Sequence, residues 1–122
     1  MANGHLISIV DDDPSMRDAL AALVRALGHD VRAFASAEEF LASSELDQFS
    51  CAITDIQMPG MNGFELKQQL NRRDSQMLVI MITARTEPNL EEKAIASGAM
   101  CFLRKPFEEE TLVCCLEKAL GG

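Results

Sequence analysis

The chain has 122 residues, 48% of them hydrophobic and 25% charged, as in a globular domain with a buried core. Its 11 basic and 19 acidic residues give a net charge of −8, which argues against direct nucleic-acid binding, because phosphate backbones attract clustered Lys and Arg. No apolar run reaches the roughly 20 residues of a membrane span, and no basic region precedes the first apolar run, so neither a membrane anchor nor a secretory signal is expected.

Four cysteines are present, and none forms a Cys-x-x-Cys pair. We interpret them as free thiols of a reducing compartment. With no export signal expected, this usage predicts a cytoplasmic protein.

The N-terminal part of the chain predicts two strands and two helices. Residues 6–10 are apolar nearly throughout, as in a strand that is covered on both faces. Asp13 stands before a proline and predicts the cap of a long helix. Residues 31–34 predict a weaker strand near an edge, and Ser36 begins a short helix with a capping-box pattern. Residues 43–48 are interpreted as a loop.

The middle of the chain contains its most informative stretch. Residues 50–54 form a short apolar strand, and the carboxylate of Asp55 follows at once. The run Met-Pro-Gly-Met-Asn-Gly comes next and predicts a sharp turn. Asn62 with Glu65 then predicts a capped helix.

The C-terminal part repeats the same alternation twice. Residues 78–82 are fully apolar and predict a fourth strand. Glu87, which precedes a proline, is interpreted as the opening of a fourth helix that Gly98 ends. Residues 100–103 predict the fifth strand, and the acidic run at Glu108 predicts the start of a last helix.

Five strand–helix units predict an α/β doubly wound, flavodoxin-like fold. We expect a five-stranded parallel sheet of strand order 2-1-3-4-5 with helices on both faces. No internal repeat or linker divides the chain, so residues 1–122 are interpreted as one domain.

Polar residues stand at the C-terminal ends of four predicted strands. Asp11 and Asp12 follow strand 1, Asp55 follows strand 3, Thr83 follows strand 4 and Lys105 closely follows strand 5. These strand ends share one edge of a parallel sheet, so we expect the side chains to converge. Several carboxylates in one place repel one another unless a cation joins them, and Mg²⁺ with oxygen ligands is the natural candidate.

Such a pocket suits phosphoryl transfer to a carboxylate. Asp55 is the candidate nucleophile, which would form an aspartyl phosphate. Phosphoryl transfer requires mainly positioning and the stabilisation of charge on the equatorial oxygens. We expect Mg²⁺, the ammonium of Lys105 and the hydroxyl of Thr83 each to stabilise one oxygen.

Four motifs together resemble a known family. These are Ile-Val-Asp-Asp-Asp at residues 9–13, Asp-Ile-Gln-Met-Pro-Gly-Met-Asn-Gly at residues 55–63, Thr83-Ala84, and Lys105-Pro106-Phe107. In this order they look like the signature of the receiver domain of bacterial two-component response regulators. The resemblance extends from about residue 6 to residue 120 and is greatest to regulators of the nitrogen-fixation type.

The resemblance implies a phosphoacceptor and a metal site. Asp55 would accept the phosphoryl group from a sensor histidine kinase or a phosphotransfer protein. Asp12, Asp55 and the backbone carbonyl of Gln57 would bind Mg²⁺, or Mn²⁺ in its place, and Asp11 would act mostly through water. The protein would not be an enzyme, although it would assist its own phosphorylation and dephosphorylation.

The resemblance also implies a conformational switch. Phe102 falls at the aromatic switch position, which turns inward when Thr83 moves toward the phosphoryl group. The Lys105–Pro106 peptide would be cis. Phosphorylation would change the surface from strand 4 to helix 5, which would control a partner, a homodimer or an output domain. A DNA-binding output domain, usual in this type of regulator, is absent from this chain, and whether the natural protein continues past Gly122 stays open.

Three other functions remain alternatives. An aspartate-nucleophile hydrolase would need similar residues, but its nucleophile would follow the first strand in an Asp-x-Asp pattern. A flavin- or nucleotide-binding module would need a Gly- or Ser-rich loop after strand 1, where this chain has three aspartates. A receiver that serves only as a docking surface, without phosphorylation, is the third.

Overall fold

A computed structural model describes residues 4–121 of the chain. Its five parallel strands, in the order β2-β1-β3-β4-β5, are β1 (Leu6–Val10), β2 (Asp30–Phe34), β3 (Cys51–Asp55), β4 (Leu78–Thr83) and β5 (Cys101–Arg104). The helices are α1 (Pro14–Ala26), α2 (Ala37–Leu41), α3 (Gly63–Arg72), α4 (Leu90–Ala96) and α5 (Glu109–Ala119). Within residues 4–121, no helix has both the length and the apolar character needed to cross a membrane. The predicted doubly wound sheet is confirmed.

The sheet has a separate apolar core on each face, because successive strand residues point to opposite sides. Ile7 and Ile80 belong to the core that contains residues of α1 and α5. Val79 and Met81 belong to the other core, with residues of α2, α3 and α4. Both faces of the central strands are therefore buried, which is why their sequences are apolar nearly throughout.

Three phenylalanines anchor the β2 side of the sheet. Phe40 of α2 is fully buried, and its ring centroid lies 5.5 Å from those of Phe34 and Phe49. Truncating such a ring to alanine typically costs about 3–5 kcal/mol. The short helix α2 is therefore held by packing, since five residues are too few for a helix to be stable alone.

Several boundaries differ from the predictions. Residues 46–48 form a turn of 3₁₀-helix where a loop was predicted. Strands β3 and β5 each lie one residue later than predicted, because pairing continues to Asp55 and Arg104. Helix α4 begins at Leu90, and the prediction that it opens at Glu87 is wrong. Glu87 precedes Pro88, and a proline disfavours helical geometry at the residue before it, so Glu87 stays outside the helix. The carbonyl of Glu87 instead accepts a hydrogen bond from Arg104 of β5.

Capping residues fix the helices that follow the site. The carboxylate of Asp13 accepts the Ser15 N–H at 2.9 Å and caps α1. Asn62 and Glu65 form a reciprocal capping box at the start of α3, with both hydrogen bonds at 2.9 Å. The predicted caps of these two helices are confirmed.

Candidate functional site

Four polar residues meet at one end of the sheet. Asp55 and Thr83 are the last residues of β3 and β4, whereas Asp11 and Lys105 directly follow β1 and β5. The Lys105 N–H donates to the carbonyl of Thr83 at 2.7 Å, which joins the last two strands at this edge. The arrangement lies where strand order reverses between β1 and β3, the usual binding position in such sheets.

Three carboxylates form the centre of the site. Oxygen atoms of Asp11, Asp12 and Asp55 all lie within 4.8 Å of one another. Asp11 is fully buried and Asp55 nearly so, whereas Asp12 is exposed. Hard oxygen ligands at this spacing, open to solvent on one side, fit a divalent cation such as Mg²⁺, which keeps several of its waters.

The surroundings of Asp55 disfavour its charged form. Burial raises the pKa of Asp55 from 3.8 to about 6, and the charges of Asp11 and Asp12 add to the increase. The ammonium of Lys105 and a hydrogen bond from the Gln57 backbone act in the opposite direction. Without a cation, Asp55 is therefore a carboxylate of raised proton affinity that is still mostly ionised at pH 7.

Lys105 brings a positive charge to the carboxylates. Its Nζ lies 3.4 Å from Oδ2 of Asp11 and 3.8 Å from Oδ2 of Asp55. The Lys105 side chain is 16% exposed, so water screens these contacts only in part. The peptide bond between Lys105 and Pro106 is cis.

Local hydrogen bonds hold Asp11 in place. Its Oδ1 accepts the N–H of Asp13 at 3.0 Å, and its backbone carbonyl accepts Nη1 of Arg17 at 2.8 Å. One oxygen of Asp11 thus orients the turn into α1, while the other faces Lys105.

The loop that follows Asp55 returns close to the strand. A Cβ on Gly63 would lie 2.8 Å from the Asp55 carbonyl oxygen, so only glycine fits there without displacement. The carboxylate of Glu38 in α2 accepts the N–H of Met61 at 3.1 Å and holds the outer side of the loop. Gln57 lies within this loop, two residues after Asp55.

Thr83 is tied to the segment after β4, which we call the β4–α4 loop (residues 84–89). Thr83 is fully buried, and its Oγ1 accepts the N–H of Arg85 at 3.0 Å. Arg104 contacts the same loop: its Nη1 donates to the Arg85 carbonyl at 2.7 Å. The Arg104 guanidinium also lies over the ring of half-buried Phe102, with its carbon 5.1 Å from the centroid.

Sequence reasoning missed Arg104, Arg17 and Glu38. A signal existed for Arg104, because residues two apart in a strand share a face, and this places it beside Phe102. The contact of Glu38 with Met61 spans 23 residues, and no local sequence pattern predicts it.

Comparison with known proteins identifies a family. Residues 7–117 match the response regulator receiver domain. FixJ, a transcriptional regulatory protein of Bradyrhizobium diazoefficiens, is 35% identical over 96% of this chain and 57% of its own length. TodT, a response regulator of Pseudomonas putida, is 37% identical over 94% of this chain and 51% of its own length. The chain thus spans about half the length of the curated relatives that it matches.

Solved structures agree with this assignment. The structure of FixJ-N has a TM-score of 0.86 and 31% identity, covering 96% of this chain and 94% of that one. The chemotaxis protein CheY4 of Vibrio cholerae has a TM-score of 0.85 and 30% identity, covering 95% and 98%. The response regulator StyR has a TM-score of 0.89 and 36% identity, covering 97% and 60%.

Proposed function

This chain belongs to the family of response regulator receiver domains, and we propose that it is a signalling switch whose phosphoacceptor is Asp55. The donor would be a sensor histidine kinase or a phosphotransfer protein of the cytoplasm. The observation that carries the proposal is the convergence of three carboxylates and an ammonium at one end of the sheet.

The acidic cluster supports a metal requirement. Asp11, Asp12, Asp55 and the backbone carbonyl of Gln57 would hold Mg²⁺, or Mn²⁺ in its place. When bound, the cation would neutralise carboxylate charge and stabilise a phosphoryl oxygen. The carboxylate spacing of at most 4.8 Å and the exposed position of Asp12 suit such an ion.

The chain's own residues would then position and stabilise the reacting group. An ionised oxygen of Asp55 attacks phosphorus, the bond from phosphorus to the donor nitrogen breaks, and its electron pair stays on that nitrogen. Lys105, whose Nζ lies 3.8 Å from Asp55, favours the ionised nucleophile and balances charge on the phosphoryl oxygens. The hydroxyl proton of Thr83 is available for another of these oxygens, because its Oγ1 acts as an acceptor toward Arg85.

The product would act as a signal, so we propose a phosphoacceptor that assists its own phosphorylation and dephosphorylation rather than an enzyme. Thr83 and Phe102 would be the switch residues. Phosphate on Asp55 would favour one of two arrangements of the surface from β4 to α5, by a population shift. That surface would control a partner, a homodimer or an output domain.

Phosphorylation by a small donor tests the proposal. Acetyl phosphate with Mg²⁺ should add one phosphoryl mass increment to the intact protein, and EDTA should prevent it. Asp55→Asn should not accept the group, whereas the control Asp47→Asn, which changes an exposed carboxylate in the 3₁₀ turn, should accept it normally. Labelling of Asp55→Asn at the wild-type rate would overturn the assignment.

A further inference from the structure

Arg104 joins three parts of the switch region. Its Nη1 donates to the carbonyl of Arg85 at 2.7 Å, and its Nη2 donates to the carbonyl of Glu87 at 3.4 Å. Its guanidinium carbon lies 5.1 Å from the centroid of Phe102, within the range of a cation–π contact. A single side chain of β5 therefore holds both the β4–α4 loop and the aromatic ring on the same strand.

The order of the strands places the contacts of Arg104 on the side of β4 opposite to Asp55. β4 lies between β3, which ends in Asp55, and β5, which ends in Arg104. Thr83 holds the N–H of Arg85, so movement of the Thr83 hydroxyl toward Asp55 would draw Arg85 toward β3. Arg104 holds the carbonyl of the same residue from the β5 side, and its contacts therefore resist that movement.

We propose that Arg104 is a positioning residue that stabilises the unphosphorylated arrangement of the β4–α4 loop and of Phe102. The inference rests on the proposed function, in which phosphate on Asp55 draws Thr83 inward and Phe102 follows. Arg104 must then release the loop carbonyls before that arrangement forms. It sets how much of the protein occupies the phosphorylation-favoured arrangement in the absence of phosphate.

The chemistry of the guanidinium suits this role. Its planar fork donates two hydrogen bonds in fixed directions while its face stacks on an aromatic ring. A lysine at this position keeps the charge but lacks the fork, so it reproduces only part of the restraint. Both acceptors are backbone carbonyls, so changing the Glu87 side chain leaves them intact.

The initial rate of Asp55 phosphorylation by limiting acetyl phosphate with Mg²⁺ tests the restraint. Arg104→Gln should increase the rate by about tenfold, equivalent to about 1.4 kcal/mol in the population of the favoured arrangement. Arg104→Lys should increase the rate by a smaller factor. If Arg104→Gln does not fold, the rate of Arg104→Lys tests the restraint instead. The matched control Arg32→Gln, which removes the same charge and a distant pair with Glu45, should react at the wild-type rate.

A second measurement does not depend on phosphorylation. The chain contains no Trp or Tyr, so Phe102→Trp introduces a single fluorophore at the switch position. If Arg104 merely covers a static ring, its loss should make the indole more accessible to acrylamide quenching. If Arg104 restrains the ring, its loss should let the indole turn inward, and the double variant should be quenched less than Phe102→Trp alone.

The results separate this inference from the proposed function. The restraint is supported if the folded Arg104 variants are phosphorylated faster and the indole of the double variant is quenched less than that of Phe102→Trp alone. An unchanged or slower rate of phosphorylation overturns it. Wild-type protein that takes no phosphoryl group would overturn the proposed function alone. The quenching comparison then decides the role of Arg104: unchanged or increased quenching overturns it, and reduced quenching supports the restraint on Phe102.

Discussion

Replacing Asp55 with asparagine should stabilise the metal-free protein at neutral pH. Burial raises the pKa of Asp55, so the folded state binds the proton more tightly than the unfolded chain does. The stabilising contribution of this group is therefore complete below the unfolded pKa near 4 and is lost as the pH rises through about 6. The substituted amide keeps the shape of the side chain without the charge, and Lys105 retains Asp11 as a partner.

The size of the effect follows from the two pKa values. The carboxylate changes from 3.8 when unfolded to about 6 when folded, and each tenfold change in proton affinity corresponds to about 1.4 kcal/mol. The product is about 3 kcal/mol at neutral pH. Only 7% of Asp55 is exposed, so solvent screening reduces this figure little.

Urea unfolding in EDTA, from pH 4 to pH 7.5, measures the difference between the variant and the wild type. The advantage of Asp55→Asn should grow by about 2.5 kcal/mol across this range, since part of the total of about 3 kcal/mol is already present at pH 4, and it should level off above pH 7. Asp47→Asn, which changes an exposed carboxylate, should show little change. A constant difference between Asp55→Asn and wild type across the range would refute the argument that burial raises the pKa of Asp55.

Two further variants test local features. Gly63→Ala should lower the free energy of unfolding by about 1–3 kcal/mol, because the added Cβ would lie 2.8 Å from the backbone oxygen of Asp55. A variant as stable as wild type in urea would contradict that close contact. Burial and nearby His5 lower the pKa of His29 from 6.5, so its contribution to stability is present above 6.5 and lost as the pH falls through the folded value. Asparagine at this position does not titrate, so His29→Asn should lose less stability than wild type as the pH falls from 7 to 5 in thermal melts. Parallel curves for the two proteins would count against this reasoning.

The parts of the fold that local patterns control could be predicted from the sequence. Apolar runs marked the strands, and capping residues such as Asp13 and Asn62 marked helix starts to within a residue. The convergence of Asp11, Asp55 and Lys105 followed from topology, since parallel strands bring their C-terminal ends to one edge.

Contacts between distant residues could not be predicted in the same way. The contacts of Arg104 with the loop before α4 are of this kind, because the carbonyls of Arg85 and Glu87 that it bonds lie 19 and 17 residues away. The pairing of His5 with His29, whose Nδ1 accepts the His5 N–H at 3.1 Å, likewise needs the β1–β2 register. Such contacts depend on side-chain reach after the sheet has formed, and no local periodicity encodes them.

The contact between Lys105 and Asp11 spans 94 residues, about three quarters of the 122-residue chain. Synthesis begins at the N-terminus, so the carboxylates of Asp11 and Asp55 exist well before the ammonium that faces them. A nascent chain that pairs only β1 with β3 brings these acids together without their counter-charge, which opposes stable early closure of that end of the sheet. Lys105, which directly follows β5, therefore supplies the positive charge that favours the assembled site.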